Sequence, residues 1–225
     1  MNKNKEAFID KMKNDGLKKP VIDIFCHYFD KMIEGDNGLL YEGQDFERSP
    51  DPRPLSSLDS YAESGRKFLE KCVMCKLNGG LGTTMGLEGP KGLLPVRGEK
   101  TFLDIVLRQT EFMRKSGGSD IPALFMNSFA TSDDTMRHIS EKTDFVQDMT
   151  LEFIQNKFPK INEGDLMPVS YPVDPEKEWN PPGHGDFYIA LNSSGVLDSL
   201  LEKGFEFLFL SNIDKVPEAY GETER

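Results

Sequence analysis

The sequence has little positive charge, few cysteines and no long apolar run. Its 225 residues carry 27 Lys and Arg against 38 Asp and Glu, a formal net charge of −11. Without a broad basic field, neither nucleic acid nor an anionic membrane is an expected partner. A phosphate compound is not excluded, because loop N–H groups and a single lysine act at short range. Three cysteines make no disulfide framework. Cys72 and Cys75 form a C-x-x-C, but positions three apart in a strand point to opposite faces. No second pair follows, so they read as two buried structural thiols rather than half a zinc site. The N-terminus lacks the apolar core of a signal peptide, and no segment is long enough to span a membrane. A reducing, cytoplasmic setting is therefore expected. There is no internal repeat and no low-complexity tract.

What is present is an ordinary globular composition, 37% hydrophobic and 29% charged, enough for a core in one large domain or a domain and a half. Residues 1–60 read as a helical segment and linker. Phe8, Ile9 and Met12 give a short apolar face, and Val21 to Ile33 repeats apolar residues at helical spacing. His27 reads as a packing or surface histidine, and Pro50, Pro52 and Pro54 mark a loop. From about Tyr61 strands and helices alternate. Strands are predicted at 72–77, 121–127, 150–155 and 205–210. Helices are predicted at about 102–115, 132–142 and 186–201, the last weakened by Gly195. Thr101 and Asp104 approximate a capping box, and Gly117 and Gly118 end that helix. Residues 156–184 read as a long loop. Such alternation implies a mostly parallel sheet covered on both faces, with ligands beyond the carboxyl ends of its strands. Asn78, Gly79, Asn127, Gln155, Asn212 and Asp214 all fall just past predicted strand ends.

The densest signal follows the first strand. Glycines at 79, 80, 82, 86 and 89 fall within eleven residues, and Lys91 closes the loop. Glycine permits positive φ and close approach, so such a loop can turn successive N–H groups toward an anion. It is not a P-loop, for no G-x-x-x-x-G-K-[ST] occurs. Nor is it the dinucleotide fingerprint, because Gly80, Gly82 and Gly86 are spaced one residue too far.

The stretch Lys76-Leu-Asn-Gly-Gly-Leu-Gly-Thr-Thr-Met-Gly, with Gly89-Pro-Lys91, resembles the nucleotide loop of the UTP–glucose-1-phosphate uridylyltransferases (UDP-glucose pyrophosphorylases). Further stretches agree in order: Thr101 to Asp104, Met126 to Phe129 with Asp133 to Thr135, Trp179 to Asp186, and Ser211 to Asp214. The resemblance implies a Rossmann-like, GT-A-like nucleotidyltransferase fold with a mixed sheet. It implies an Mg²⁺-dependent reaction in which UTP and glucose 1-phosphate give UDP-glucose and pyrophosphate. By the same resemblance Leu77, Asn78, Gly79 and Gly80 lie over uracil and ribose, so side chains must be absent at 79 and 80. Gln155 reads the uracil edge and Gly183 offers a backbone contact. Lys91 meets the phosphates, His184 the sugar phosphate, Asn212 the nucleotide sugar and Asp214 the metal. Trp179 reads as a loop anchor.

The charges suit these roles. Two highly anionic reactants need neutralisation and alignment more than a nucleophilic side chain. The resemblance runs from about Leu55 to Asp214 and covers only the N-terminal half of family members. Residues 61–214 are thus expected to be a partial nucleotidyltransferase domain, with a divergent tail at 215–225 and an open edge at the last strand. Two other readings stand beside the enzyme: a remnant that holds UTP or pairs with a complementary half, and an N-acetylhexosamine-1-phosphate uridylyltransferase.

Overall fold

The structure, a computed structural model, describes residues 3–51, 53–82, 86, 89–142 and 150–215. In chain order the elements are α1 (Lys3–Asn14), α2 (Lys19–Ile33), α3 (Ala62–Phe68), β1 (Cys72–Leu77), β2 (Pro95–Arg97), β3 (Lys100–Thr101) and α4 (Phe102–Gly117). They continue as β4 (Ala123–Asn127), α5 (Ser132–Ser140), β5 (Thr150–Ile154), β6 (Phe158–Pro159), β7 (Trp179–Asn180), α6 (Phe187–Ser194), α7 (Val196–Glu202) and β8 (Phe207–Asn212). The chain divides into two units, residues 1–65 with 157–180, and residues 66–156 with 181–225.

In the first unit, Phe8 of α1 packs against Phe25 and Phe29 of α2 with ring centroids 5.0 and 5.1 Å apart. Tyr28, Met32 and Ile33, on the expected apolar face of α2, are exposed, as is His27. The segment read as a long loop contains the antiparallel pair β6–β7. Trp179 is buried there, with Lys157 and Lys11 Nζ at 4.6 and 5.5 Å from its ring centroid. It is buried with two cations over its ring, as suits an anchor.

The second unit is a four-stranded sheet in the order β5-β4-β1-β8, parallel throughout among the described residues. Alternation sorts the side chains. Val73, Cys75, Leu77, Leu124 and Met126 face α6 and α7, packing on Phe187, Leu191 and Leu200. Ala123 and Phe125 face the other way, onto Leu103, Val106 and Leu107 of α4 and Ile139 of α5. Helices therefore cover both faces. The start of α4 is fixed by a full capping box: Asp104 N–H donates to Thr101 Oγ1 (3.1 Å) and Thr101 N–H to Asp104 Oδ2 (2.9 Å). Gly118 ends the helix at φ +64°. The single helix expected at 186–201 is two, because Gly195 turns left-handed (φ +82°) between α6 and α7. Three thiols are free. Cys75 is buried, and Cys72, expected to be buried as well, is only half so. No helix of the described residues is long and apolar enough to cross a membrane.

Candidate active site

Strand order decides where a site can form. Strands are added from β1 through β4 to β5 in one direction, and β8 then joins β1 on the other side. That reversal opens a crevice at the carboxyl ends of β1 and β8, where open α/β sheets bind ligands. Leu77 and Asn212 are partners in the register, and Ile213 N–H donates to Leu77 O (3.1 Å). Leu77 itself packs into the core, so it offers the crevice only its backbone.

The glycine loop folds back on its own start. Leu81 and Pro90 form an antiparallel bridge, flanked by bonds from Gly82 N–H to Gly89 O (3.0 Å) and from Lys91 N–H to Gly80 O (3.0 Å). Residues 91–93 then make a short 3₁₀ turn lying directly on the crevice floor. Gly92 makes this possible: a Cβ there would stand 2.4 Å from Asn78 Oδ1 and 3.2 Å from Ile213 Cγ1. With the turn seated, Lys91 Nζ reaches Asp214 Oδ2 at 2.5 Å. This lysine hydrogen bond is the main reason the Asp214 carboxyl is held below its ordinary range, with burial opposing. Both side chains remain about a quarter exposed.

A second cluster stands at the ends of β1 and β5. Gln155 is buried, takes Asn127 O through its own N–H (2.7 Å), and donates from Nε2 to Gly183 O (2.7 Å). A Cβ on Gly79 would stand 2.6 Å from Gln155 Oε1, so a side chain at 79 would displace the carboxamide from Gly183 O. At Gly80 nothing lies within 4 Å, so the protein makes no such demand there. Gly183, at φ +101°, opens an exposed turn that carries His184. The turn is clamped from below: Asp186 accepts from Asn156 N–H (2.7 Å) and Asn156 Nδ2 (2.9 Å). Burial pushes the Asp186 carboxyl up, against the pull of those two bonds.

Asn78 and Asn127 form the wiring beneath. Asn78 Nδ2 donates to Asn127 Oδ1 (2.8 Å) and Thr135 Oγ1 (2.9 Å), and Asn127 Nδ2 donates to Glu152 Oε2 (2.8 Å). Both asparagines are fully buried. The structure thus joins Gly79, Gln155 and Gly183 in one cluster and Lys91 with Asp214 in another, both on one rim. Asn212 is half-buried at that rim. Gly92 and Asn156 are supporting residues that motif reading did not single out; the signal for Gly92 was a glycine directly after the lysine that closes the loop.

A Rossmann-like nucleotidyltransferase fold with these strand ends is the class defined. Residues 22–220 match the family model described as UTP–glucose-1-phosphate uridylyltransferase. The chain belongs to this family, and the match runs wider at both ends than its sequence motifs. A probable UTP–glucose-1-phosphate uridylyltransferase of Schizosaccharomyces pombe is 38% identical over 199 residues, 87% of this chain and 39% of that protein. The Hordeum vulgare enzyme is 41% identical over 75% of this chain and 34% of its own length. Among solved structures, a UDP-glucose phosphorylase from Trypanosoma brucei superposes with a TM-score of 0.85 at 38% identity, over 95% of this chain and 46% of that one. A Leishmania major UDP-glucose pyrophosphorylase in complex with UDP-glucose gives 0.84 at 33% identity, covering 96% and 45%. The chain spans less than half the length of these relatives.

Proposed function

We propose that this chain carries the nucleotide half of a uridylyl transfer in which UTP and glucose 1-phosphate give UDP-glucose and pyrophosphate, by in-line displacement with no covalent intermediate. The observation that carries it is the Lys91–Asp214 pair at the sheet's switch point, beside the Gly79–Gln155–Gly183 cluster, in a member of this family. A flat glycine surface at 79 and 80 beside a carboxamide suits a planar base. Lys91 is close enough to leave Asp214 for a phosphate oxygen and offset negative charge there. His184, exposed on its turn, is free to donate a hydrogen bond to the sugar phosphate. Asn212 is within reach of the nucleotide sugar at the same rim.

Asp214 would hold Mg²⁺. The donor chemistry fits: a hard carboxylate oxygen at an open rim suits an ion that keeps its waters and takes substrate oxygens rather than a full protein cage. Among the described residues no three His, Cys, Asp or Glu side chains gather to hold a metal, at Asp214 or elsewhere, so the ion would rest on Asp214 and substrate oxygens. When bound, the ion would neutralise charge on the triphosphate. The free thiols suit a reducing, cytoplasmic compartment.

The test is pyrophosphate release by the purified chain with UTP, glucose 1-phosphate and Mg²⁺. Lys91→Ala and Asp214→Asn are each expected to lower turnover by about a hundredfold or more. A second reading rests on coverage of only 34–46% of the relatives' lengths: the chain binds UTP without turning it over. UTP binding that is lost in Lys91→Ala, with no pyrophosphate released, would support this second reading. A folded chain that does neither overturns both.

A further inference from the structure

The amides beneath the rim point in one direction, and one residue sets it. Glu152 on β5 accepts at Oε2 from Asn127 Nδ2 (2.8 Å) and from Ser132 Oγ (2.9 Å). A carboxylate can only accept, so Asn127 must present its amine to Glu152 and its oxygen to Asn78. Asn78 in turn presents Nδ2, which donates to Asn127 Oδ1 and Thr135 Oγ1. The Thr135 hydroxyl can donate or accept and imposes no direction. Of these groups only the carboxylate is committed.

The relay ends at Asn78 Oδ1. This oxygen is buried and receives no N–H or O–H among the described residues. The backbone of Asn78 is pinned, its N–H donating to Met126 O (2.8 Å) and its carbonyl accepting from Thr131 Oγ1 (3.0 Å). A buried acceptor without a donor is costly and calls for a reason. Gly92 supplies one. A Cβ there would stand 2.4 Å from Oδ1, so the hydrogen that glycine carries in that direction points at the oxygen. A Cα–H against a carboxamide oxygen is weakly attractive. The amine in its place would set hydrogen against hydrogen and lift the turn that carries Lys91.

We propose that Glu152 is a positioning residue for Lys91: through Asn127 it keeps the oxygen of Asn78 beneath Gly92, and so seats the 91–93 turn where Lys91 can serve the phosphates. Glu152 itself touches no substrate. The inference rests on the reading of Lys91 as the phosphate contact. The base-side cluster is built without these side-chain amides, since Gln155 is held through the backbone oxygens of Asn127 and Gly183. A disturbed relay should therefore be felt at the phosphates and not at the base.

The affinities of the full chain for UTP and for uridine are measured side by side by NMR titration. Glu152→Met, similar in size and without a carboxylate, should weaken UTP by about tenfold and uridine by less than about twofold. Glu152→Gln can still turn an oxygen to Asn127 and should bind UTP nearly as the unaltered chain does. Gly92→Ala lifts the turn directly; it should reproduce the pattern of Glu152→Met, and it serves where that variant does not fold. Equal losses of UTP and uridine, or no loss of either, overturn the proposal. So does an Asn78 Nδ2 whose protons lie against Gly92 rather than Thr135 in the NOE spectrum of the unaltered chain. A folded, unaltered chain that binds neither ligand overturns the uridylyl reading instead, and the NOE contacts then decide the direction of the relay by themselves.

Discussion

β4 and β8 are strands of similar wording and opposite fates. Ala-Leu-Phe-Met-Asn and Phe-Leu-Phe-Leu-Ser-Asn are both apolar runs ending in asparagine. Every residue of β4 is buried, whereas Phe207 and Phe209 of β8 are about half exposed. The difference lies in company: β4 has a strand on each side and helices on each face, while β8, among the described residues, has one strand and one covered face. The closing asparagines diverge likewise. Asn127 is consumed in wiring between Asn78 and Glu152, and Asn212 stands half-open at the rim. A strand's place in the sheet thus decides whether its last residue is tied up beneath the rim or stands open at it.

The sharpest way to break this comparison is to truncate both strands. Leu124→Ala should cost about 3 kcal/mol in urea unfolding, because a fully enclosed side chain leaves a cavity. Phe209→Ala should cost less than about 1 kcal/mol, since its ring is already 59% exposed. Equal losses would mean that β8 is covered in solution. The asparagines come next. Asn127→Ala strands buried partners and should remove about 1–3 kcal/mol. Asn212→Ala should leave the melting temperature nearly unchanged and weaken UTP binding in a calorimetric titration.

A smaller effect separates the coverings. Burial raises the Asp104 carboxyl, but the bonds from Thr101, His138 and Lys142 outweigh it and hold it well below the ordinary range. A depressed carboxyl adds stability above its unfolded pKa, about 3.9, and loses it as pH falls toward the folded value. Asp104→Asn should therefore cost about 1 kcal/mol at neutral pH, and less as the pH drops below about 4. Acid denaturation curves read this directly. The smallest test leaves stability untouched: Cys75, on the covered face, has its thiol pushed up to about 12 by burial. Iodoacetamide at mildly alkaline pH should modify half-buried Cys72 first, by peptide mass mapping. Faster labelling of Cys75 would contradict the assignment of faces.

Much of this was legible in the residues. β1 and α4 were clear because an apolar run and a capping box are local signals. Gly195 marked a weak point, though not the full break between α6 and α7. β6 and β7 were not legible: two-residue strands carry no periodicity, and their pairing joins positions far apart in the chain. The rim divides the same way. The glycine loop declared itself, and strand ends could be listed, but nothing local says that Lys91 meets a carboxylate 123 residues onward or that Asn156 grips Asp186. Those contacts depend on strand order, which the pattern of strands and helices does not specify.

Gly79 and Gln155 also bear on how the crevice wall can change. A side chain at 79 and the carboxamide at 155 claim one volume, so a change at 79 is felt first at 155. An alanine at 79 would push the Gln155 carboxamide off Gly183 O, or meet a shorter residue at 155. The two positions therefore act as one, and the fate of the carboxamide in Gly79→Ala reads how far the crevice wall can give way.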